Sequence, residues 1–84
     1  MKISFTHDAY LDFCNWAIVD KNIFKKIVLL IKEIKRDPFM GIGKPEPLKG
    51  NLSGYWSRRI TEEHRLVYSY RKEEIVIIAC KGHY

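Results

Sequence analysis

Glu46 stands between Pro45 and Pro47, and both prolines restrict the backbone around it, so its carboxylate is presented from a stiffened segment. Lys44 and Lys49 are nearby cations that favour its ionised form. An ionised, rigidly presented Glu is a candidate general base. Arg58, Arg59 and Arg65 form a basic hairpin further on. Guanidiniums hold a phosphate with paired donors and stabilise charge that grows on it in a transition state. His83 and Tyr84 close the chain just past the apolar run Ile75-Val76-Ile77-Ile78-Ala79-Cys80. Imidazole changes charge near neutral pH and can protonate a leaving oxygen, while Tyr84 can stack on a base. A base, an acid and a cationic cradle, without a protein nucleophile or metal ligands, are the set that acid–base cleavage of RNA needs. The ribose supplies its own nucleophile in the 2′-hydroxyl.

Each group also has a plainer explanation. A loop Glu is more often a solvated acid. Arg59 and Arg65 could be surface residues paired with Glu62, Glu63, Glu73 or Glu74, pairs worth at most ~1 kcal/mol each. A terminal His frays unless something holds it. Trp56 suits the core better than a stacking role, and His7 and His64 read as surface residues. Gly41-Ile42-Gly43-Lys44 lacks the spacing of a phosphate-cradling loop and does not join a strand to a helix.

The elements that must position these groups are legible in outline. Residues 2–6 alternate weakly and suit a short strand. Thr6 or Asp8 can cap a helix with Tyr10, Phe13, Cys14 and Ala17 on one face. Asp20 caps a second, stronger helix in which Ile23, Ile27, Leu30, Ile31 and Ile34 recur at helical spacing. Lys21, Lys25, Lys32 and Lys35 fall on its other side and read as a solvated face. The helix must end near Asp37-Pro38. Residues 38–50 hold all three prolines and three of the five glycines without periodicity, which predicts a loop long enough to be functional. Strand-like segments follow at Tyr55–Ile60, Arg65–Tyr70 and Ile75–Cys80. The order β-α-α-β-β-β predicts an α+β fold with two N-terminal helices packed on a mainly antiparallel sheet.

The hairpin register decides which arginines act together. A three-residue turn sets Arg59 opposite Arg65 on a shared face. A four-residue turn pairs Ile60 with Arg65 and sends Arg59 to the other face. The first leaves Leu66 and Tyr68 beside Trp56 for the core and is preferred.

Bulk properties narrow the function further. Eighty-four residues make a single domain, 1–84, and 46% hydrophobic content supplies one core rather than a disordered chain. The net charge of +5 favours a polyanionic partner or an acidic protein. The longest apolar runs, Ile27–Ile31 and Ile75–Cys80, fall far below the roughly 20 residues of a membrane span. No secretion signal is recognisable at the N-terminus. Cys14 and Cys80 have neither paired nor metal-type spacing and read as two reduced, buried thiols in a cytoplasmic protein.

Three stretches carry a family resemblance: Gly43-Lys44-Pro45-Glu46-Pro47-Leu48-Lys49, Asn51-Leu52-Ser53-Gly54-Tyr55-Trp56-Ser57-Arg58-Arg59-Ile60 and Glu63-His64-Arg65-Leu66-Val67-Tyr68. Together with the length, the basic second helix and the His-Tyr ending, they closely resemble the YoeB toxins of bacterial toxin–antitoxin pairs, within the RelE-like superfamily. The resemblance implies a microbial-ribonuclease-like fold and a ribosome-dependent endoribonuclease that cuts messenger RNA in the ribosomal A site, needs no cofactor and is silenced by an antitoxin of the YefM type. A homodimer is compatible with it. On that pattern Glu46 corresponds to the general base, His83 to the general acid and Arg65 to the stabiliser of the transition state. Lys49, Arg59 and Tyr84 match positions that support the RNA. At Gly82 the pattern leads one to expect a bulkier residue.

Two other functions compete. One is a non-catalytic toxin resembling the ParE proteins, which inhibit gyrase by binding; such a binder has no reason to assemble Glu46, Arg65 and His83. The other is a basic RNA-binding module, which explains the charge but not the proline-clamped acid.

Overall fold

The chain is described by a computed structural model covering residues 1–82; the expectations placed on His83 and Tyr84 lie outside the described residues. The order is β1 (Lys2–Phe5), α1 (His7–Val19), α2 (Lys21–Arg36), β2 (Glu46–Pro47), a 3-10 turn at Gly50–Leu52, β3 (Trp56–Arg59), β4 (Arg65–Arg71) and β5 (Glu74–Ala79). This is the expected α+β order with one addition, the two-residue β2, inside what the sequence suggested was an unstructured loop. The strands form a sheet in the order β1-β5-β4-β3-β2. β1 runs parallel to β5 and the other pairs are antiparallel.

Both helices start where side chains cap them. The Thr6 hydroxyl accepts from the Ala9 N–H, and the Asp20 carboxylate accepts from Asn22 and Ile23, satisfying amide groups that have no partner within the helix. α2 buries Ile27, Leu30 and Ile34 against Leu66, Tyr68, Ile75 and Ile77 of the sheet. Lys21, Lys25, Lys32 and Lys35 are exposed as expected. α1 is rotated from the expected face. Ala9, Phe13 and Trp16 turn inward, while Tyr10 and Cys14 are exposed. Its sequence is apolar on more than one side, with Leu11 and Ile18 facing solvent, so periodicity alone gives no unique orientation.

One of the two thiols is therefore not buried. Cys80 is packed in the core and donates to the Ala9 carbonyl at 3.5 Å, and burial pushes its thiol up to about 12. Cys14 is exposed. Since only the thiolate alkylates, brief iodoacetamide treatment of native protein at pH 8 should label Cys14 and spare Cys80 until the chain is unfolded. Peptide mass spectrometry checks this; equal labelling of the two would contradict the packing.

The β3–β4 register pairs Trp56 with Tyr68, Ser57 with Val67, Arg58 with Leu66 and Arg59 with Arg65. This is the preferred register, closed by hydrogen bonds from Ile60 and Thr61 to the His64 carbonyl at 3.0 and 3.1 Å. Alternation then divides the sheet into two faces. Trp56, Arg58, Leu66 and Tyr68 point toward the helices, and Ser57, Arg59, Arg65 and Val67 point away. A bulge between Val67 and Tyr68 shifts the pairing with β5 by one residue. Bulges are frequent near functional sites, and here the extra residue is Ile78, next to the last residue of β5.

Candidate active site

Glu46 pairs with Ser57 across β2 and β3, and Arg59 pairs with Arg65 across β3 and β4. Directly opposed residues of an antiparallel ladder project from the same face, so the sheet brings Glu46, Ser57, Arg59 and Arg65 together on the side away from the helices. Arg65 Nη1 donates to Glu46 Oε1 at 2.8 Å. The candidate base is thus held by the candidate transition-state stabiliser, and not by Lys44 or Lys49. Nor, among the described residues, does Arg65 pair with Glu62, Glu63, Glu73 or Glu74. Glu63 faces His64, and Glu74 accepts from Ser4 and lies 3.9 Å from Lys2.

The burial of the pair is uneven. The Arg65 side chain is 12% exposed and that of Glu46 57%, so the arginine is fixed from below while the carboxylate faces solvent. Arg59 is exposed directly opposite Arg65. Two like charges facing each other across strands are unfavourable until an anion comes between them. Arg65 Nε and Ser57 Oγ are buried without a hydrogen-bond partner among the described residues, and both can donate. Buried polar groups are normally satisfied; these two are covered, so neither meets an incoming oxygen unless the surface above it moves. Ser57 was not anticipated, because a serine beside two arginines carries no signal of its own. Lys49 is exposed three residues past Glu46, where the 3-10 turn begins.

Glu46 reaches this position through Arg58, which does not join the exposed face of the basic hairpin but is fully buried. Its Nε donates to the Tyr68 hydroxyl at 3.1 Å, Nη1 to the Ile42 carbonyl at 3.1 Å, and Nη2 to the carbonyls of Asp37 and Met40 at 2.6 and 3.0 Å. The Tyr68 hydroxyl in turn donates to the Pro38 carbonyl at 2.7 Å; burial raises its pKa, so it stays a donor. One guanidinium thus gathers the chain that leaves α2, and all four of its bonds end on neutral oxygens. The loop closes tightly over it. A Cβ on Gly43, whose φ is +84°, would come within 2.9 Å of Leu30 Cδ2 and 3.1 Å of Arg58 Cβ, a fit that only glycine permits. The Gly43 carbonyl accepts from the Arg59 N–H at 2.6 Å, and the chain enters β2 three residues later. Pro47, which has no N–H, is tolerated because β2 is the sheet's edge.

The far end of the chain arrives at the same place. The Arg65 N–H donates to the Gly82 carbonyl at 2.9 Å, so the residue before His83 is bonded to the main chain of the arginine that holds Glu46. His64 is not a surface residue. Its side chain is 12% exposed, and Nδ1 accepts from the Gly82 N–H at 3.0 Å. A cavity of about 400 Å³ lies elsewhere on the sheet, lined by Tyr55, Ser69, Arg71, Lys72, Glu74 and Val76. Glu46, Arg59 and Arg65 do not line it; among the described residues, the exposed Glu46 and Arg59 give the site an open charged surface. No described helix is long and apolar enough to cross a membrane.

Residues 5–84 match the family model described as the YoeB-like toxin of the bacterial type II toxin–antitoxin system. The chain is 58% identical to the toxin YoeB of Synechocystis over 84 residues, which cover 100% of this chain and 98% of that protein. Among solved structures it is similar to a YoeB/ParE toxin from Agrobacterium tumefaciens, with a TM-score of 0.95 and 46% identity over the full length of both chains. It is also similar to the toxin in the YoeB–YefM complex from Staphylococcus aureus, with a TM-score of 0.92 and 47% identity over 100% of this chain and 98% of that one. YoeB from that organism has a solved dimer structure as well, with a TM-score of 0.93 and 48% identity over the same shares of the two chains.

Proposed function

The chain belongs to the YoeB-like toxins of bacterial type II toxin–antitoxin systems, and on that premise we propose that it is a ribosome-dependent endoribonuclease which cuts messenger RNA in the ribosomal A site. The observation that carries this reading is the 2.8 Å contact between Arg65 and Glu46, on a sheet face where Arg59 lies opposite and Gly82 leads into His83. A protein that acted only by binding, in the manner of ParE, would have no use for that arrangement.

Glu46 takes the proton from a ribose 2′-hydroxyl, and the oxygen attacks the adjacent phosphorus. Negative charge builds on the non-bridging oxygens of the crowded phosphorane, where Arg65, assisted by Arg59, stabilises it. The bond from phosphorus to the 5′-oxygen then breaks, and His83 protonates that oxygen. The products are a 2′,3′-cyclic phosphate, or the 3′-phosphate formed by its hydrolysis, and a 5′-hydroxyl.

Dependence on the ribosome fits the open site. In-line attack needs the 2′-hydroxyl, phosphorus and 5′-oxygen to be held in a near-attack geometry, an effect worth up to about 7–11 kcal/mol. A shallow charged face offers charge and acid–base groups but little steric guidance, so the ribosome supplies the distorted messenger. Lys49 and Arg59 hold the RNA backbone, and Tyr84 stacks on a base. Binding of a YefM-like antitoxin and formation of a homodimer are proposed for this chain from the S. aureus relatives, and the net charge of +5 suits an acidic antitoxin segment. Action on ribosome-bound message places the protein in the cytoplasm. The chemistry is tested at the product ends: fragments should carry 5′-hydroxyls that ligate only after kinase treatment. Fragments with 5′-phosphates would exclude attack by the 2′-hydroxyl.

A further inference from the structure

Three hydrogen bonds hold the described end of the chain. Trp16 Nε1 donates to the Cys80 carbonyl at 3.0 Å, the Arg65 N–H donates to the Gly82 carbonyl at 2.9 Å, and the Gly82 N–H donates to His64 Nδ1 at 3.0 Å. Gly82 therefore has both main-chain groups bonded to adjacent residues of one strand entry. Its φ of +90° is a left-handed conformation that costs glycine little, and a Cβ there would meet nothing within 4 Å. The glycine serves the backbone path rather than a packing need.

His64 is itself held firmly. Its own N–H and that of Glu63 donate to the Thr61 hydroxyl at 3.0 and 3.1 Å, which fixes the turn. Its ring stands edge-on to Trp16 with centroids 4.9 Å apart, and Nε2 lies 3.6 Å from the Glu63 carboxylate. Accepting at Nδ1 requires the tautomer with its proton on Nε2, the nitrogen that faces Glu63. The Glu63 carboxylate thus favours a proton on Nε2, and with that tautomer Nδ1 can accept from Gly82.

We infer that His64 is a positioning residue for the cleavage: by gripping the Gly82 N–H beside Arg65, it fixes the chain at the residue that precedes His83. This rests on the reading of His83 as the general acid. Sub-ångström placement of a reacting group is set by such supporting hydrogen bonds, and losing one shifts the population of the held tail about 5- to 10-fold.

Two variants separate this role from packing. His64→Asn places an amide oxygen near the position of Nδ1 but gives up the ring. His64→Phe keeps the ring against Trp16 and loses the acceptor. Cleavage of ribosome-bound message and hydrogen exchange at the Gly82 amide are measured for both variants and the wild type. The expected result is a protected Gly82 amide in the wild type and His64→Asn with cleavage within about twofold of each other. His64→Phe should lose the protection and about 5- to 10-fold in kcat, with KM and thermal stability little changed. A His64→Phe protein that keeps a protected amide, or loses it yet cleaves like the wild type, overturns the role. A wild-type protein with a protected amide that cuts no message overturns the ribonuclease reading and the role with it, and the amide distinguishes that outcome from a clamp that does not form.

Discussion

Arg58→Met should cost about 3–5 kcal/mol of stability, the upper end for a single substitution, because several buried acceptors lose a shared donor. Methionine matches much of the volume, so the loss reflects hydrogen bonding rather than a cavity. Its side chain leaves the carbonyls of Asp37, Met40 and Ile42 and the Tyr68 hydroxyl without their donor. Each group so stranded costs about 1–3 kcal/mol while it stays buried, and partial opening of the loop to water limits the sum. Against a total of about 5–15 kcal/mol for a typical domain, this should lower the melting temperature by about 12–40 °C. Arg59→Met is the matched control. That side chain is exposed and faces Arg65, so stability should move by less than about 0.5 kcal/mol. Calorimetry on the two variants decides the matter; similar melting temperatures would show that the buried guanidinium does not organise the loop.

The activity of neighbouring residues should follow the opposite pattern. Glu46→Gln should lower cleavage by ~10²–10⁴, the usual contribution of a positioned acid–base group, and leave the fold intact. An ion pair with one partner more than half exposed contributes at most ~1 kcal/mol, so losing it should be barely visible in the melting temperature. Arg65→Lys should be nearly as damaging. Lysine keeps the charge, but it has no planar fork with which to hold Glu46 at rest and phosphate in the transition state; losing one such donor costs about 10²–10³ in rate. Single-turnover cleavage on ribosomes measures both. Near-normal rates for Arg65→Lys would reduce the arginine to general attraction for RNA.

Much of this molecule was legible because its signals are local or strictly periodic. Thr6 and Asp20 cap the helices as expected, since the types that accept hydrogen bonds at helix starts are few. α2 shows one apolar stripe and one lysine face, and it folds accordingly. The hairpin register followed from asking which alternation supplies a core, and it set Arg59 opposite Arg65.

The misreadings come from placing polar residues by type rather than by alternation. If Trp56 belongs to the core and Arg59 shares a face with Arg65, then Arg58 must point inward with Trp56. Its charge argued for the surface, and the carbonyls that satisfy it come from residues 37–42, a distance along the chain that no pattern reveals. His64 hid in the same way, because its partner is a backbone amide 18 residues away. β2 was missed because two residues between prolines carry no strand signal; their pairing with Ser57 and Trp56 is tertiary. The two-sided apolar character of α1 left Cys14 on the wrong face.

The central claim is that this sheet face cuts messenger RNA only when the ribosome presents it, and end mapping on a defined message tests it most directly. Purified protein is incubated with one mRNA, free or positioned on ribosomes with a known codon in the A site, and the new 5′ ends are sequenced. The expected result is cleavage within the A-site codon that moves when the ribosome is moved by one codon, is absent with Glu46→Gln, and is negligible on free RNA. Equal cutting of free RNA at many positions, or intact message on ribosomes with active wild-type protein, would contradict the account.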